Sequence, residues 1–374
     1  SKGRGRRFSI NNVVKLNTLI LLYNVQLNHT MQKQDILSLS YSQILDICQE
    51  FGEKKFRVDQ LYQWIWQKRV RNFSEMTNLS KIFREQLQER FFFQTVKIDS
   101  IRSSTDGTQK VTFRLHDGCI IEGVVIPAKD RLTACISSQV GCGLACAFCA
   151  TGSLGFNRNL SVGEITDQYF VLDNLAREKH SQGITNIVYM GMGEPLQNYD
   201  SVMLSIARLT EEKGQAMAPS RITISTSGLA KNIMKLADDG FKCNLAISLH
   251  TANNGIRNKL MPVNKANDLQ KLSDAIAYFY DKTHTRISIE YTLLDGINDT
   301  IEHARELADF TKRFPVKINI IEYNPHQLSP YKKSDKQKTD SFVTFLEKLN
   351  LIVNIRYSKG KDIDAACGQL AAKK

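Results

Sequence analysis

The chain has no apolar run approaching the ~20 residues that cross a membrane as a helix. It also lacks a convincing export signal, because the early apolar stretch Leu19–Leu22 is too short for one. The eight cysteines (Cys48, Cys119, Cys135, Cys142, Cys146, Cys149, Cys243 and Cys367) are unevenly scattered over 374 residues. Without an export signal, that distribution speaks against a disulfide framework. It favours a reducing cytoplasm in which thiols serve metal or redox chemistry. Acidic residues are missing from positions 1–30, where Lys2, Arg4, Arg6, Arg7 and Lys15 supply part of the net charge of +12. That basic excess favours a polyanionic partner such as nucleic acid and says nothing about fold. Hydrophobic content of 42% and charged content of 24% are ordinary for a globular protein. The length suits one large domain and a small one.

What is present is concentrated. Residues Cys142-Gly-Leu-Ala-Cys146-Ala-Phe-Cys149 place three thiols in one short loop, among small residues that let it fold tightly. Thiolates are the usual ligands of iron–sulfur clusters. Three local ligands would leave one iron of a four-iron cubane open, and an open metal site is where chemistry can happen. On spacing alone, a zinc site with a distant fourth ligand, or three unligated thiols, remain alternatives.

Taken in order, residues 1–30 read as an extension outside the fold, disordered or non-native, with Met31 as the expected start. Residues 31–95 read as a small helical domain. Ser42–Phe51 is apolar at helical spacing and Gly52 stops it. Phe56–Val70 repeats the pattern through Leu61, Trp64 and Ile65, and Asn78–Phe91 makes a third helix. Trp64 is expected in the core. It and Trp66, the only tryptophans, stand among Lys68, Arg69 and Arg71. Residues 96–130 change period: Lys110–Leu115 and Ile120–Ile126 flank Asp117-Gly118, a hairpin signal. Glu122 lies between apolar neighbours there, as a paired structural acid or as a functional base.

Residues 131–374 alternate strand-like and helical runs. The strand-like runs are Leu132–Ser137, Thr185–Met190, Arg221–Thr226, Cys243–Leu249, Arg286–Leu293 and Lys317–Glu322, with a further run at Leu351–Arg356. Ser161 and Glu164 announce one helix with a capping box. Repeated βα units imply an α/β fold with a parallel sheet. Polar motifs follow successive strands: the cysteine loop, Gly191-Met-Gly193-Glu194-Pro195, Ser225-Thr-Ser-Gly, Ser248-Leu249-His250 and Asn324-Pro325. In βα barrels chemistry gathers at that rim. Glu194 beside Gly193 suits an ammonium or ribose hydroxyls; Ser225, Ser248, His250 and Asn324 offer neutral hydrogen bonds.

The spacing Cys-x3-Cys-x2-Cys with Phe148 before the third cysteine resembles the signature of radical S-adenosylmethionine (SAM) enzymes. The fuller run Ser137–Gly152, with Asp362–Leu370, resembles the RlmN/Cfr family of RNA adenine methyltransferases, and the likeness covers roughly residues 35–370. It implies an open six-stranded (β/α)6 partial barrel, with the helical domain as an accessory RNA-binding part and the hairpin as an extension. It implies a [4Fe-4S] cluster on Cys142, Cys146 and Cys149, and two SAM molecules per turnover. SAM contacts would come from Gly193, Glu194, Ser225, Ser248, Leu249, His250 and Asn324.

The same resemblance implies three catalytic residues. Cys367 takes a methyl group from one SAM. A radical from a second SAM removes a hydrogen from that methyl, and the methylene adds to C2 of adenine, tying RNA to the enzyme. Glu122 removes the C2 proton, and Cys135 attacks the Cys367 sulfur, forming a disulfide and freeing the product. Cys48, Cys119 and Cys243 have no part. The implied partners are 23S ribosomal RNA, transfer RNA and an electron donor such as flavodoxin or ferredoxin, with no membrane and a monomeric chain. Methylation of adenine C8, as in the Cfr branch, is the alternative, and Pro195 favours the C2 branch. A zinc-stabilised, non-catalytic RNA-binding protein is a remoter one. Arg131, Arg158, Lys332, Lys333, Lys336 and Lys338 are candidate phosphate contacts.

Overall fold

The computed structural model describes residues 33–371. The expectations for residues 1–30 and for Met31 lie outside the described residues. The chain divides into two compact units, one up to Phe93 and one from Gln94 onward.

The first unit is helical. Helix α1 (Tyr41–Glu50) begins with Ser40, whose hydroxyl accepts from the Gln43 amide while the Gln43 side chain reaches back, a complete capping box. Helix α2 (Phe56–Tyr62) passes directly into a π-helical segment, Gln63–Gln67. Helix α3 (Lys81–Arg90) is capped by Ser80. The two-residue strands Gln34–Asp35 and Phe91–Phe92 pair in parallel. Trp66, and not Trp64, is the core tryptophan. The buried face runs at i, i+3 and i+4 through Val58, Leu61, Tyr62, Ile65 and Trp66, while Trp64 falls off that stripe and is half-exposed. Trp64 instead donates its indole N–H to Asn78 and stacks under Lys68, whose Nζ lies 3.5 Å from the ring centroid.

The second unit is built on one ten-stranded sheet. Its strands are β1 (Lys97–Ser103), β2 (Gln109–Arg114), β3 (Ile120–Ala128), β4 (Arg131–Cys135), β5 (Asn186–Tyr189), β6 (Ile222–Thr226), β7 (Asn244–Ser248), β8 (Ile287–Leu293), β9 (Val316–Glu322) and β10 (Val353–Arg356). They lie side by side in chain order. Strands β4 to β10 are parallel, so the six expected strands are joined by a seventh, the run near residues 351–356. Strands β1 to β4 are antiparallel, so residues 96–130 are continuous with this sheet and not a detached hairpin. Each parallel crossover carries a helix, as parallel strands require. Strand β8, in the interior of the parallel run, is buried throughout. The helix Val162–His180 starts at the Ser161/Glu164 capping box read from the sequence.

Candidate active site

The cysteine loop leaves β4 through a small hairpin, Gln139–Gly141 paired with Phe156–Asn159. Gly141 is at φ +73°, and a Cβ there would lie 1.9 Å from the Gly155 carbonyl oxygen, so the crossing needs glycine. The loop is pinned at three points. The Cys142 amide donates to Gly155 O at 2.8 Å, the Ala147 amide to Leu260 O at 2.9 Å, and the Ala150 amide to Gly368 O at 2.8 Å. Cys142, Cys146 and Cys149 are partly buried and line one cavity. Burial pushes the Cys142 thiol up to about 11. Burial, and then the neighbouring Cys149 and Cys142, push Cys146 higher still. Bare thiolates are therefore disfavoured here, and a bound metal reverses that preference.

Among the described residues, no three His, Cys, Asp or Glu side chains are gathered as one metal ion requires. A cubane binds its thiolates at separate iron corners, so the cysteine loop fits a cluster better than a single zinc ion.

The same cavity is walled by the strand ends. Gly193, Glu194, Ser225, Ser248, His250, Asn324 and Cys367 all line it. Gly193, at φ +101°, packs so close to Gln139 that a Cβ would approach its side chain to 2.5 Å. Glu194 is buried, and burial raises its carboxyl. Its Oε2 accepts from the Ser227 amide at 2.9 Å and the Ser227 hydroxyl at 2.8 Å, and its Oε1 from the Leu196 amide at 3.1 Å. No cationic side chain pairs with it among the described residues, so a ligand ammonium would find an uncompensated carboxylate.

His250, at φ +58°, is buried, and burial holds its imidazole down at about 3, hence neutral. Its Nδ1 accepts from the Thr292 amide at 3.1 Å, which leaves the ring proton on Nε2. The Ser225 and Ser248 hydroxyls meet at 3.2 Å. Leu249 is on the rim, but its side chain is in the core and does not line the cavity.

Cys135, at the end of β4, and Cys367, in the C-terminal tail, share the wall of a smaller adjoining cavity with Met190, Arg356 and Leu370. Burial and then the neighbouring Cys367 push Cys135 up to about 12, and burial raises Cys367 as well. Arg356 opposes both shifts, and its guanidinium pairs with Glu290 at 3.0 Å. The tail is held from several sides. Thr151 Oγ1 donates to Leu370 O at 2.6 Å, and Gln369 Nε2 to Pro325 O at 3.1 Å. Asn324 turns its Nδ2 to Ser358 Oγ at 2.8 Å and to Cys367 O at 3.4 Å, so this expected ligand contact also tethers the tail. Glu122 lines neither cavity; its carboxylate lies under the tail, paired with Lys110 at 3.2 Å.

Two residues passed over in the sequence matter here. Arg257 is fully buried and ties the rim together, donating to Ser227 O at 2.6 Å, Leu249 O at 3.2 Å and Asn264 Oδ1 at 2.8 Å. Lys110 is the other. No local motif marks either, because which groups each one meets depends on strand register and on turns that bring separate segments together. Of the candidate phosphate contacts, Arg158 is tied to Asp117 at 2.7 Å and to Glu164 at 2.8 Å, Lys338 pairs with Asp295 at 2.7 Å, and Lys333 pairs with Glu322. These three form ion pairs within the chain.

Residues 34–92 match the family model of the ribosomal RNA large subunit methyltransferase N-terminal domain, and residues 136–310 match that of the radical SAM superfamily. A probable dual-specificity RNA methyltransferase RlmN from Cytophaga hutchinsonii is 47% identical over 362 residues, covering 96% of this chain and 99% of the relative. The dual-specificity RNA methyltransferase RlmN of Desulfotalea psychrophila is 44% identical, covering 91% and 95%. The crystal structure of a radical SAM methyltransferase from Sphaerobacter thermophilus superposes with a TM-score of 0.86 at 36% identity, over 91% of this chain and all of that one.

Proposed function

The chain belongs to the RlmN family of radical SAM RNA methyltransferases, and we propose that it methylates C2 of an adenosine in the peptidyl-transferase centre of 23S ribosomal RNA and of the adenosine just 3′ of the anticodon in some transfer RNAs. The enzyme uses a [4Fe-4S] cluster and SAM. When bound, the cluster supplies one-electron cleavage of SAM, and so a radical that can take hydrogen from a methyl group. Cys142, Cys146 and Cys149 hold the cluster. Glu194 and Gly193 receive the amino end of SAM, with Ser225, Ser248, His250 and the Leu249 backbone around it and Asn324 at the tail side.

The observation that carries the reading is the meeting of Cys135 and Cys367 at one cavity wall, beside the cluster loop. Adenine C2 is not nucleophilic, so direct displacement on SAM cannot methylate it. Cys367 accepts the methyl group in its place and presents it to the base. The target adenine leaves its stack to reach that sulfur. Glu122 takes the C2 proton, and the Cys135 thiolate attacks the sulfur of Cys367: the S–S bond forms as the carbon–sulfur bond breaks, and the leaving carbon keeps that electron pair and takes a proton, which completes the methyl group on the released RNA and leaves a disulfide. Both thiols are held up by burial, and Arg356 is the cation that favours their thiolate forms. We further propose that the chain acts as a monomer in the cytoplasm, reduced by a flavodoxin or ferredoxin. Among the described residues no helix is long and apolar enough to cross a membrane.

The test is anaerobic reconstitution with iron, sulfide, SAM, a reductant and ribosomal or transfer RNA, followed by mass spectrometry of the nucleosides against standards. The reading expects 2-methyladenosine. 8-Methyladenosine would overturn the C2 assignment, and no methylated adenosine would overturn the substrate.

A further inference from the structure

Glu122 is a buried carboxylate in an apolar strand, and its partner lies one strand away. In the antiparallel pairing of β2 and β3, Lys110 is opposite Val124 and Thr112 is opposite Glu122. Lys110 and Glu122 are therefore diagonal neighbours on one face of the sheet. Lys110 Nζ lies 3.2 Å from Glu122 Oε1, with both side chains under a tenth exposed. The same Nζ donates to the carbonyl of Asp364 at 3.1 Å, just before Cys367 in the chain. The other oxygen, Glu122 Oε2, accepts from the amide of Ala371 at 2.9 Å, just after it. One ammonium and one carboxylate thus grip the Cys367 segment on both flanks. A buried ion pair contributes little net stability because desolvation offsets its attraction. Its place under the tail calls for another reason.

We propose that Lys110 is a positioning residue for the methylation: it holds the Glu122 carboxylate and the Cys367 segment in register, so that base and methyl-bearing sulfur reach the same adenine. The inference rests on the roles proposed above for Glu122 and Cys367. The Ala371 amide takes one lone pair of Oε2 and leaves the other for a proton. Lys110, on Oε1, and this amide together fix where the carboxylate points. Ala150, Thr151 and Gln369 tether the neighbours of Cys367 as well, so loss of Lys110 loosens the segment without releasing the sulfur that takes the methyl group.

The test separates the steps. After anaerobic incubation with SAM alone, Lys110→Gln should still carry one methyl on Cys367 by peptide mass spectrometry. With RNA and a one-electron reductant added, its covalent adduct on a denaturing gel should persist about ten to about a hundred times longer than in the wild type, the scale expected of a misplaced catalytic group. Lys110→Arg, which keeps the charge, should shorten that lifetime again. Wild-type adduct lifetime in Lys110→Gln, with Glu122→Gln stalled, overturns the role of Lys110 alone. Normal turnover in Glu122→Gln overturns the base assignment beneath it. Lys110→Gln leaves a buried carboxylate unpaired and can unfold the chain. A charge-balanced pair therefore supplies a second measurement. Adding Lys110→Gln to Glu122→Gln should raise hydrogen exchange across residues 360–371. Unchanged exchange overturns the tether.

Discussion

The hydroxyl of Ser104 donates to Oδ1 of Asp362 at 2.6 Å across 258 residues of sequence. The Thr105 amide donates to the other oxygen of the same carboxylate at 3.2 Å, and Asp106 accepts from the Gly360 amide at 2.9 Å. The turn between β1 and β2 is thereby bonded to the tail that leaves β10. The two ends of the open sheet are linked through the segment that carries Cys367.

That link is pH-dependent. The Ser104 hydroxyl, then the Thr105 amide, hold the Asp362 carboxyl below its ordinary value. Burial pulls Asp106 upward, but bonds from Thr108 and Gly360 prevail and hold it at about 2. Carboxylates depressed in the folded state stabilise it fully above their unfolded pKa of about 4, and the contribution is lost as pH falls toward the native values. Hydrogen exchange of residues 358–368, corrected for intrinsic rates, should therefore accelerate between about pH 4 and about pH 2. Asp362→Asn should show raised exchange already at pH 7. A tail equally protected at both ends of that range would show that these contacts do not hold it.

The three loop thiols are proposed to act as a set. Cys142→Ala, Cys146→Ala and Cys149→Ala should each lose the brown absorbance of the reconstituted protein, most of its bound iron and labile sulfide, and all product. The fold should persist by circular dichroism, since the loop is pinned by its backbone amides. A full complement of four irons with turnover in Cys146→Ala would remove that residue from the ligand set.

Cys135 and Cys367 should fail differently. Cys367→Ala has no sulfur to carry the methyl group and should form neither product nor adduct. Cys135→Ala should still load Cys367 and attack RNA, then stall with the RNA attached. Nuclease treatment and peptide mass spectrometry would locate the bond. An adduct at a residue other than Cys367 would sink the two-thiol scheme.

Arg257 should be a rim residue with a stability cost. Arg257→Met removes donors from the Ser227 and Leu249 carbonyls and from Asn264, all in the interior. Each buried acceptor left unsatisfied costs about 1–3 kcal/mol, so a loss of at least about 2 kcal/mol is expected in urea titration. SAM affinity, measured by calorimetry on the reconstituted protein, should fall with it because Ser227 orients Glu194. Unchanged stability and unchanged affinity would leave the guanidinium without this role.

The two tryptophans make a paired control within the first unit. Trp66→Ala empties a core site and should cost about 3–5 kcal/mol. Trp64→Ala removes a half-exposed ring and one stacked lysine, for about 1 kcal/mol. Fluorescence reads this unit alone, because each variant keeps its other tryptophan there. Equal losses would contradict the placement of Trp66 in the core and of Trp64 outside it.

The sequence by itself determined the features whose signals are short-range. Three thiols in one tight loop, a capping box at Ser161 and Glu164, and the alternation of strand and helix periods are each local. The parallel strands therefore came close to their observed bounds, and the motifs fell at one rim. What only the tertiary structure decided depends on register and on crossover connections. Trp66 takes the core place and Trp64 does not because packing selects the face shared with Leu61, Tyr62 and Ile65. Asn324 faces the tail because residues after β9 lie beside residues after β10. Lys110 meets Glu122 because antiparallel pairing sets them diagonally, and Arg257 finds its acceptors on the ends of β6 and β7. Whether near or far in sequence, such partners are set by register and crossover, and no local pattern of residue types records which of them will be neighbours.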